Sequence, residues 1–589
     1  MFLKLLILFL CLSFIQSFAQ VDSWIRVNQL GYLPNTPKVA VLLSKKNILL
    51  KEFLIKEVKT EKIVYTSNSI QSFGSVWNFN SNFRLDFSSF KDEGMYFIEC
   101  ENVRSNNFKI AKNVYDGTAD FLLKYMRQQR CGYNPFLKDS CHTKDGFIIY
   151  NPKLDSTHID VTGGWHDASD YLQYVTTSAN AVYQMLFAYK QNPGVFTDEF
   201  DANGNEGSNK IPDILDEAKW GIDWLLKMNP EKDMIFNQIA DDRDHMGFRL
   251  PNKDTISYGK GLERPVYFAT GTPQGIFKYQ NRSTGLASTA GKFASAFALA
   301  SELLKNYYPE LSITLLQKAI EAYGLGKEYP GVCQTAPCRA PYFYEEENFR
   351  DDMELAASQL FLVTKNNSYL NDGIVFGNEE KIIPWMGADT AKHYEWYPFV
   401  NLGHYLLAKE ITNGDKETFL SYIKNGIEKV VNRAKDNPFN IGVPFIWCSN
   451  NLVAAMLTQL RLYNNLTGDN QFLYEEAALR DWLFGCNPWG TSMIVGLPSE
   501  GDYPSDPHSA FTHLYNYPVN GGLVDGPVYY SIYSKLIGIT LYSPDEYAEF
   551  QNGYVVYHDD YGDYSTNEPT MDGTASLTYY LSAMEMFSK

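Results

Sequence analysis

Two short segments, far apart along the chain, carry carboxylates in settings suited to acid–base chemistry. Asp167 and Asp170 lie three residues apart in the stretch 163–171, among glycines and aromatic residues. Glu568 lies in a polar, aromatic-flanked stretch, 564–573. Hydrolysis of a glycosidic bond needs two carboxyl groups in one cleft, because one must stay protonated to donate to the leaving oxygen and the other must stay ionised to activate water or attack carbon. The two segments therefore predict that chemistry if the fold brings them together.

Each segment taken alone also has a structural interpretation. Asp167 and Asp170 follow a Gly-Gly turn and could cap the start of a helix. Glu568 could be a surface residue of an acidic loop, and as a general acid it would need a raised pKa. We expect two groups of neighbours to raise that pKa. Tyr561, Tyr564 and Met571 would exclude water, and Asp559, Asp560, Asp563 and Asp572 would act by like-charge repulsion.

Both segments resemble signatures of glycoside hydrolase family 9. The first resembles G-G-W-[YH]-D-A-G-D-Y, and the second resembles D-Y-x-x-N-E, which carries the acid. The resemblance implies that Asp170 is the catalytic base, that Asp167 helps to hold the nucleophilic water, and that Glu568 is the general acid. It extends to other stretches of the chain, at 211–217, 264–267, 447–450 and 484–488.

The same resemblance suggests substrate contacts. Pro507 and His508 resemble the start of the family's P-H-H-R segment, whose His and Arg contact sugar, but Ser509 and Ala510 follow here. This departure removes a cation and a ring from the expected sugar contacts. The residues that we expect to contact substrate are Trp165, Trp447, His508 and Tyr564.

A second group of residues could hold a metal. Cys131, Cys141, His142 and His166 have the number and type of ligands that tetrahedral zinc takes. They match a zinc site of family 9 members that carry an immunoglobulin-like domain, and a closed site would fix the backbone that presents Asp167. The alternative is a Cys131–Cys141 disulfide, which a secreted chain permits. We favour structural zinc, because it also accounts for the two histidines.

Two further features involve cysteines and oxygen ligands. Cys333 and Cys338 flank a short loop and could form a disulfide. Asp201, Asn203 and Asn205 alternate oxygen ligands like the start of a calcium loop, although the distal Glu of an EF-hand is missing. Family members bind calcium, often near here, so calcium is a second predicted metal; an Asn/Gly-rich turn is the alternative.

Charge and the first residues limit the partners and the compartment. Lys4 precedes a short apolar run that ends in small residues, so residues 1–19 are predicted to be a signal peptide of a secreted or periplasmic protein. The formal net charge is −18 with no basic run, which argues against a nucleic-acid partner. No later stretch is long and apolar enough for membrane insertion. We expect a monomer with a neutral sugar substrate.

The hydrophobic pattern changes once along the chain. Residues 21–110 alternate in short runs and predict an all-β sandwich, which resembles the immunoglobulin-like domain found before many family 9 catalytic domains. An independent binding module is the alternative. Residues 114–589 follow helical periods with almost no strand, and the resemblance implies an all-α (α/α)6 barrel as the catalytic domain. We expect no further binding module after it.

These observations together predict an inverting β-glycoside hydrolase that cleaves β-1,4-glucan or a related β-glucan, as an endoglucanase does. An exo-acting β-glucosidase or glucosaminidase on oligosaccharides is the alternative among enzymes. A carbohydrate-binding protein without activity is the alternative outside them, and the presence of Asp167, Asp170 and Glu568 argues against it.

Overall fold

The computed structural model describes residues 22–339, 344–388, 396–411 and 414–587. The predicted signal peptide lies outside the described residues. The first part of the described chain is a β-sandwich of two antiparallel sheets, ordered β1-β2-β6-β5 and β4-β3-β7-β8, with β9 paired to β7. The strands are β1 Ser23–Arg26, β2 Val39–Ser44, β3 Phe53–Glu57, β4 Ile63–Ser67, β5 Ile70–Val76, β6 Phe79–Asp86, β7 Gly94–Cys100, β8 Val103–Arg104 and β9 Phe108–Ile110.

Strand β2 is buried on both of its faces, which explains the continuous apolar run Val39–Leu43. Alternate residues of a strand point to opposite sides of the sheet. Ala40 and Leu42 belong to the core between the two sheets. Val41 and Leu43 belong to the larger core of the helical region. The sandwich therefore packs directly against the helices that follow it.

Polar contacts fix that packing at the stretch 27–34. The Asn28 side chain is fully buried, and its Nδ2 donates to Oδ1 of Asp481 at 2.7 Å. The Gln29 amide donates to the Phe484 carbonyl at 2.8 Å. Buried polar groups are retained where they find partners, so these residues join the sandwich to the helical region.

The described residues after 114 contain twelve helices of nine residues or more. In chain order, these helices alternate between an outer and an inner position. Ala287–Leu303 is buried almost all round, whereas Pro309–Glu328 buries one face. The outer helices are Thr118–Gln128, Asp213–Met228, Pro309–Glu328, Asn367–Glu380, Asp415–Ala434 and Leu473–Leu483. The inner helices are Val175–Gln191, Ala287–Leu303, Arg350–Thr364, Leu402–Glu410, Ser449–Thr467 and Met571–Met586.

The six inner helices follow one another around a closed ring. Each one contacts the next in the order given, and Met571–Met586 contacts Val175–Gln191. Helices that are buried on all sides need apolar or small residues all round, and Ala and Ser fill much of Ala287–Leu303. The loops at the ends of these helices carry the residues of the candidate site.

The prediction of almost no strand after residue 114 is wrong. A four-stranded sheet lies beside the helices, ordered Phe147–Ile149, Pro265–Phe268, Phe236–Ile239 and Gln173–Tyr174. These strands have two to four residues each, so they are too short to give an alternating pattern in the sequence. Within the described ranges, no helix combines the length and the apolar character that a bilayer span requires.

Candidate active site

The fold brings the two sequence segments together at one cleft. Asp167, Asp170 and Glu568 all line it, and its volume is about 470 Å³. Such a volume suits a small-molecule or oligosaccharide site. The cleft lies where the loop 163–171 meets the stretch before helix Met571–Met586.

The loop 163–171 is anchored in the protein core at its beginning. Gly164 has a φ of +70°, and a Cβ at this position would lie 2.7 Å from the Trp224 ring, so glycine is required. The Trp165 ring is fully buried, and its Nε1 donates to Oε1 of Glu217 at 2.7 Å. The prediction that Trp165 contacts substrate is therefore wrong, because the ring packs into the core and holds the loop from behind.

Asp167 is held from both sides by inner helices and neighbouring loops. Thr177 Oγ1 donates to Asp167 Oδ1 at 2.7 Å, and the Tyr344 hydroxyl donates to Oδ2 at 3.3 Å. The Met571 amide donates to the Asp167 carbonyl at 3.1 Å. The interpretation of Asp167 and Asp170 as helix caps is not met, since Tyr174 is the residue that precedes helix Val175–Gln191.

Asp170 faces a histidine that the sequence analysis did not identify. His245 Nε2 lies 3.4 Å from Asp170 Oδ2, and His245 Nδ1 lies 3.2 Å from the Asp242 carbonyl. Both ring nitrogens thus face acceptors, which favours the doubly protonated imidazolium. Burial lowers the pKa of His245, but the hydrogen bond and charge of Asp170 outweigh it and raise that pKa to about 9.

The environment of Asp170 favours its ionised form. Burial tends to raise the pKa of its carboxyl group, but the hydrogen bond and the positive charge of His245 bring the pKa below its ordinary value. The Leu172 amide also donates to Asp170 Oδ1, at 3.0 Å. Asp170 is therefore a carboxylate able to accept a proton.

Glu568 has the opposite environment. Burial, and next the negative charge of Asp170, raise the pKa of Glu568 to about 7. Hydrogen bonds from Ser169 oppose this shift: the Ser169 amide donates to Glu568 Oε1 at 3.0 Å, and the Ser169 hydroxyl donates to the same oxygen. The Asp525 amide donates to the Glu568 carbonyl at 2.9 Å and holds its backbone. Glu568 is therefore a carboxyl group that can carry a proton near neutral pH.

The negative charge that raises the pKa of Glu568 most is not one of the four expected from the sequence. It comes from Asp170, which lines the same cleft, rather than from the aspartates near Glu568 in sequence. Asp563 accepts from the side chains of His558, Ser565 and Thr566. Sequence proximity was misleading here because side chains that are close along the loop point to other partners.

Aromatic residues form one wall of the cleft. The rings of Trp447 and Tyr564 lie 5.4 Å apart, at 31° to each other. Trp447 Nε1 donates to Asp525 Oδ2 at 2.9 Å, and the Cys448 thiol donates to Asp525 Oδ1 at 3.0 Å. The carboxyl group of Asp525 is fully buried and fixes the orientation of the Trp447 ring. Two of the predicted substrate contacts therefore lie side by side in the cleft.

His508 also lines the cleft, as a neutral imidazole. Its Nδ1 bonds to the Tyr561 carbonyl, and its ring lies 4.7 Å from that of Phe248. Burial lowers the pKa of His508 to about 4. Ser509 is buried directly before the short helix Ala510–Tyr515. His508 is thus a polar, uncharged group available to a sugar hydroxyl.

The four predicted zinc ligands form a compact cluster. Their ligand atoms all lie within 4.8 Å of one another. Cys141 Sγ lies 3.8 Å from His166 Nε2, which lies 3.3 Å from His142 Nδ1. Zinc bonds of about 2.0 Å to nitrogen and 2.3 Å to sulfur place tetrahedral ligand atoms roughly 3.3–3.8 Å apart. The donor set therefore fits a tetrahedral ion.

Two details around the cluster agree with this fit. His142 Nε2 lies 3.1 Å from Asp254 Oδ2, and a carboxylate behind a histidine is the usual outer partner of a metal ligand. Cys131 and Cys141 are both free thiols, so the alternative disulfide is not formed. His166 precedes Asp167 directly, which links the cluster to the cleft.

The remaining cysteine and calcium predictions have different outcomes. Cys333 and Cys338 are free thiols, so the disulfide considered between them is not formed. In the candidate calcium loop, Asp201 Oδ1 accepts from the amides of Asn203 and Asn205, at 2.9 and 3.0 Å. These bonds form the turn that was the alternative, and calcium there stays a prediction.

Several cleft residues were missed by sequence reasoning. Ser169 stood inside the first segment, but its side chain gave no sign of a partner 399 residues away. His245 lies in the stretch 241–245, which also contains three aspartates and an arginine. Asp525 gave no recognisable signal. Each owes its role to a contact between distant parts of the chain.

Comparisons with known proteins agree with this geometry. The model of the cellulase N-terminal Ig-like domain matches residues 20–105. The chain is 26% identical to endoglucanase D of Acetivibrio thermocellus over 584 residues, covering 95% of this chain and 83% of that one. It is also 26% identical to a xyloglucan-specific endo-beta-1,4-glucanase of Bacteroides ovatus, covering 85% of each.

A solved structure has the same fold over nearly the whole length. It is a metagenome-derived glycoside hydrolase family 9 endoglucanase, with a TM-score of 0.76, 24% identity, and coverage of 96% of this chain and 99% of that one. The model of glycosyl hydrolase family 9 matches residues 115–581, which is most of the chain. The chain therefore belongs to glycosyl hydrolase family 9, and it is a glycoside hydrolase of the cellulase type.

Proposed function

We propose that this glycoside hydrolase cleaves β-1,4-glucan or a related β-glucan with inversion, using Glu568 as general acid and Asp170 as general base. One observation carries the proposal: the two carboxyl groups share a cleft, yet their environments move their pKa values apart. The pKa of Asp170 is lowered, and burial raises the pKa of Glu568 to about 7. A pair of titratable groups with diverging pKa values identifies the acid and the base.

The proposed reaction moves two protons. Glu568 donates its proton to the glycosidic oxygen as the bond from that oxygen to the anomeric carbon breaks. Asp170 takes a proton from a water molecule as the water oxygen attacks the same carbon from the opposite face. The products are two shorter sugars, with Glu568 ionised and Asp170 protonated, and exchange with solvent restores both groups. Asp167, oriented by Thr177 and Tyr344, helps to hold the water.

The proposed sugar contacts are the aromatic wall and one histidine. Trp447 and Tyr564 offer ring faces on which a pyranose can stack. His508 offers a neutral ring nitrogen for a hydroxyl group. Names of relatives guide the substrate class: one is an endoglucanase, and another is specific for xyloglucan. We propose a neutral β-1,4-linked glucan as the substrate.

We also propose that the helical region is an (α/α)6 barrel, with a domain division into 21–110 and 114–589. Twelve helices that alternate between an outer and an inner position, with a closed inner ring, support the barrel. We further propose that the protein is exported, in line with its predicted signal peptide and its extracellular type of substrate, and that it acts as a monomer.

We propose structural zinc at Cys131, Cys141, His142 and His166. When bound, zinc supplies a rigid link between the backbone at 131, the strand at 141 and the loop that carries Asp167. The distances from His166 Nε2 to Cys141 Sγ and to His142 Nδ1, and the carboxylate of Asp254 behind His142, support it. The chain's own residues perform every step of the proposed reaction.

The test is turnover of a soluble β-glucan by two single variants. Glu568→Gln and Asp170→Asn should each lower kcat by about 10² or more, because each removes one partner of the acid–base pair. Glu417→Gln and Asp233→Asn, at exposed positions, are matched controls and should keep full activity. Near-normal turnover in either cleft variant would remove that residue from its role. Binding of β-glucan without any turnover by the unaltered protein would favour the carbohydrate-binding alternative.

A further inference from the structure

Ser169 occupies a position between Asp167 and Asp170 that carries glycine in the signature resembled by this segment. It is partly buried, and it lies at the edge of the cleft. The side chain of Ser169 contacts Glu568, which lines the same cleft. Ser169, which directly precedes the proposed base Asp170, therefore contacts the proposed acid Glu568.

Ser169 makes two hydrogen bonds to a single oxygen of Glu568. Its amide donates to Oε1 at 3.0 Å, and its hydroxyl donates to the same Oε1. The amide bond is available to any residue except proline at this position, whereas the hydroxyl bond needs Ser or Thr. The second bond is therefore a property of the residue type found in this chain.

Two donors on one carboxyl oxygen decide where a proton can sit. A carboxylic acid has one oxygen that carries the proton and one that only accepts. A proton on Oε1 would compete with the two hydrogens that Ser169 already directs at that oxygen. The proton of the neutral acid is therefore favoured on Oε2.

We propose that Ser169 is a positioning residue that holds Oε1 of Glu568 and so fixes Oε2 as the oxygen that donates the proton. This inference rests on the proposed role of Glu568 as general acid. It goes beyond that role by naming the donating atom and the side chain that selects it.

The pH dependence supplies a readout for this arrangement. The titratable groups whose charges act on or respond to Glu568 are Tyr125, Asp167, Asp170, His245, Cys448 and Asp525. Among the influences on Glu568, the hydrogen bonds from Ser169 favour the ionised form and lower its pKa. Removing the hydroxyl should therefore raise the pKa of Glu568, while the surrounding charges stay in place.

The experiment compares Ser169→Ala, which keeps the amide donor and loses the hydroxyl, with Ser169→Thr, which keeps both. On cello-oligosaccharides, Ser169→Ala should lower kcat about tenfold with little change in KM, as expected for one lost hydrogen bond to a charged group. Its alkaline limb of kcat against pH should move up by roughly half a unit to one unit. Ser169→Thr should restore both properties at least in part.

A second substrate separates proton donation from general damage. An aryl β-cellobioside with a dinitrophenolate leaving group needs little protonation, so Ser169→Ala should hydrolyse it at nearly the normal rate. Ser208→Ala is the matched control, because the Ser208 hydroxyl donates to a carboxylate, Asp198, at 2.6 Å outside the cleft. This control should change neither kcat nor the pH profile.

The outcomes distinguish the inference from the function on which it rests. Full activity in Glu568→Gln would overturn the proposed function itself. An inactive Glu568→Gln together with a Ser169→Ala that keeps the normal alkaline limb would overturn only the role of Ser169. Equal losses on the natural and the aryl substrate would also overturn it, because they would indicate a merely structural role.

Discussion

Replacing His245 by Gln should move the whole pH–activity profile to higher pH. Asp170 must be ionised, so activity is lost as the pH falls through its pKa. His245 lowers that pKa, so its removal should raise it and move the acid limb up. Glu568 must be protonated, so activity is lost as the pH rises through its pKa of about 7. His245 also lowers the pKa of Glu568, but its effect is smaller than the effects of burial and of Asp170. The alkaline limb should therefore move to higher pH by less than the acid limb does.

The size of the shift follows from the contact itself. Two unit charges 3.4 Å apart, the distance between His245 Nε2 and Asp170 Oδ2, attract by roughly 5 kcal/mol at a dielectric constant of 20 and by about 1 kcal/mol in water. The side chains of His245 and Asp170 are 38% and 18% exposed, so solvent screening favours the lower part of this range, ~1–2 kcal/mol. One pKa unit corresponds to about 1.36 kcal/mol. The acid limb should therefore move up by about one pH unit.

The assay is kcat/KM on a soluble β-glucan, measured across the pH range in which the unaltered enzyme stays folded. His158→Gln is the matched control, since His158 is exposed and lies 3.3 Å from Glu263, outside the residues that line the cleft. Circular dichroism at each pH separates loss of activity from loss of fold. If the acid limb of His245→Gln coincides with that of the control, the pairing of His245 with Asp170 has no catalytic consequence and the reasoning fails.

Three other expectations concern stereochemistry, metal and substrate. The first product seen by NMR should be the α-anomer, because inversion needs a water between Asp170 and Glu568 at a carboxyl separation of roughly 6.5–9.5 Å; an initial β-anomer would contradict this. Elemental analysis should find about one zinc per chain. Cys141→Ser should lower Tm and turnover together, whereas Cys333→Ser, which changes a buried thiol outside the cluster, should leave the zinc content unchanged. A Cys131–Cys141 disulfide found by mass spectrometry would rule the site out. Soluble β-glucan should be cleaved faster than crystalline cellulose, because Ser509 and Ala510 remove a cation and a ring from the expected sugar contacts. Rapid attack on crystalline cellulose would contradict this expectation. Viscosity measured together with reducing ends would distinguish internal from terminal cleavage.

Local patterns in the sequence predicted some elements of the fold and missed others. The helix Asp213–Met228 carries a clear helical period, because its apolar residues recur along one face. The helix Met571–Met586 carries no clear period, since an inner helix is buried on nearly all sides and mixes Thr, Ser, Tyr and Met. The short strands beside the helices were missed because two to four residues carry no periodic signal.

For the candidate site too, the motifs indicated the residue types, whereas the contacts became clear only from the fold. Asp167, Asp170 and Glu568 could be named from their motifs, and the structure brings them to one cleft. Trp165 stood in the same motif, but the fold buries its ring against the core. A motif specifies the residue types and the local backbone, whereas burial of a given side chain depends on what the rest of the chain packs against it.

The sequence by itself determined the family, the three carboxylates and the four candidate zinc ligands, because motifs and ligand types are properties of short segments. Only the tertiary structure decided the surroundings that set the pKa values of these carboxyl groups. The pKa of Glu568 depends on burial and on Asp170, and the pKa of Asp170 depends on His245. Electrostatic interactions act through space between groups that are hundreds of residues apart in the chain, so they follow from the fold rather than from the order of residues.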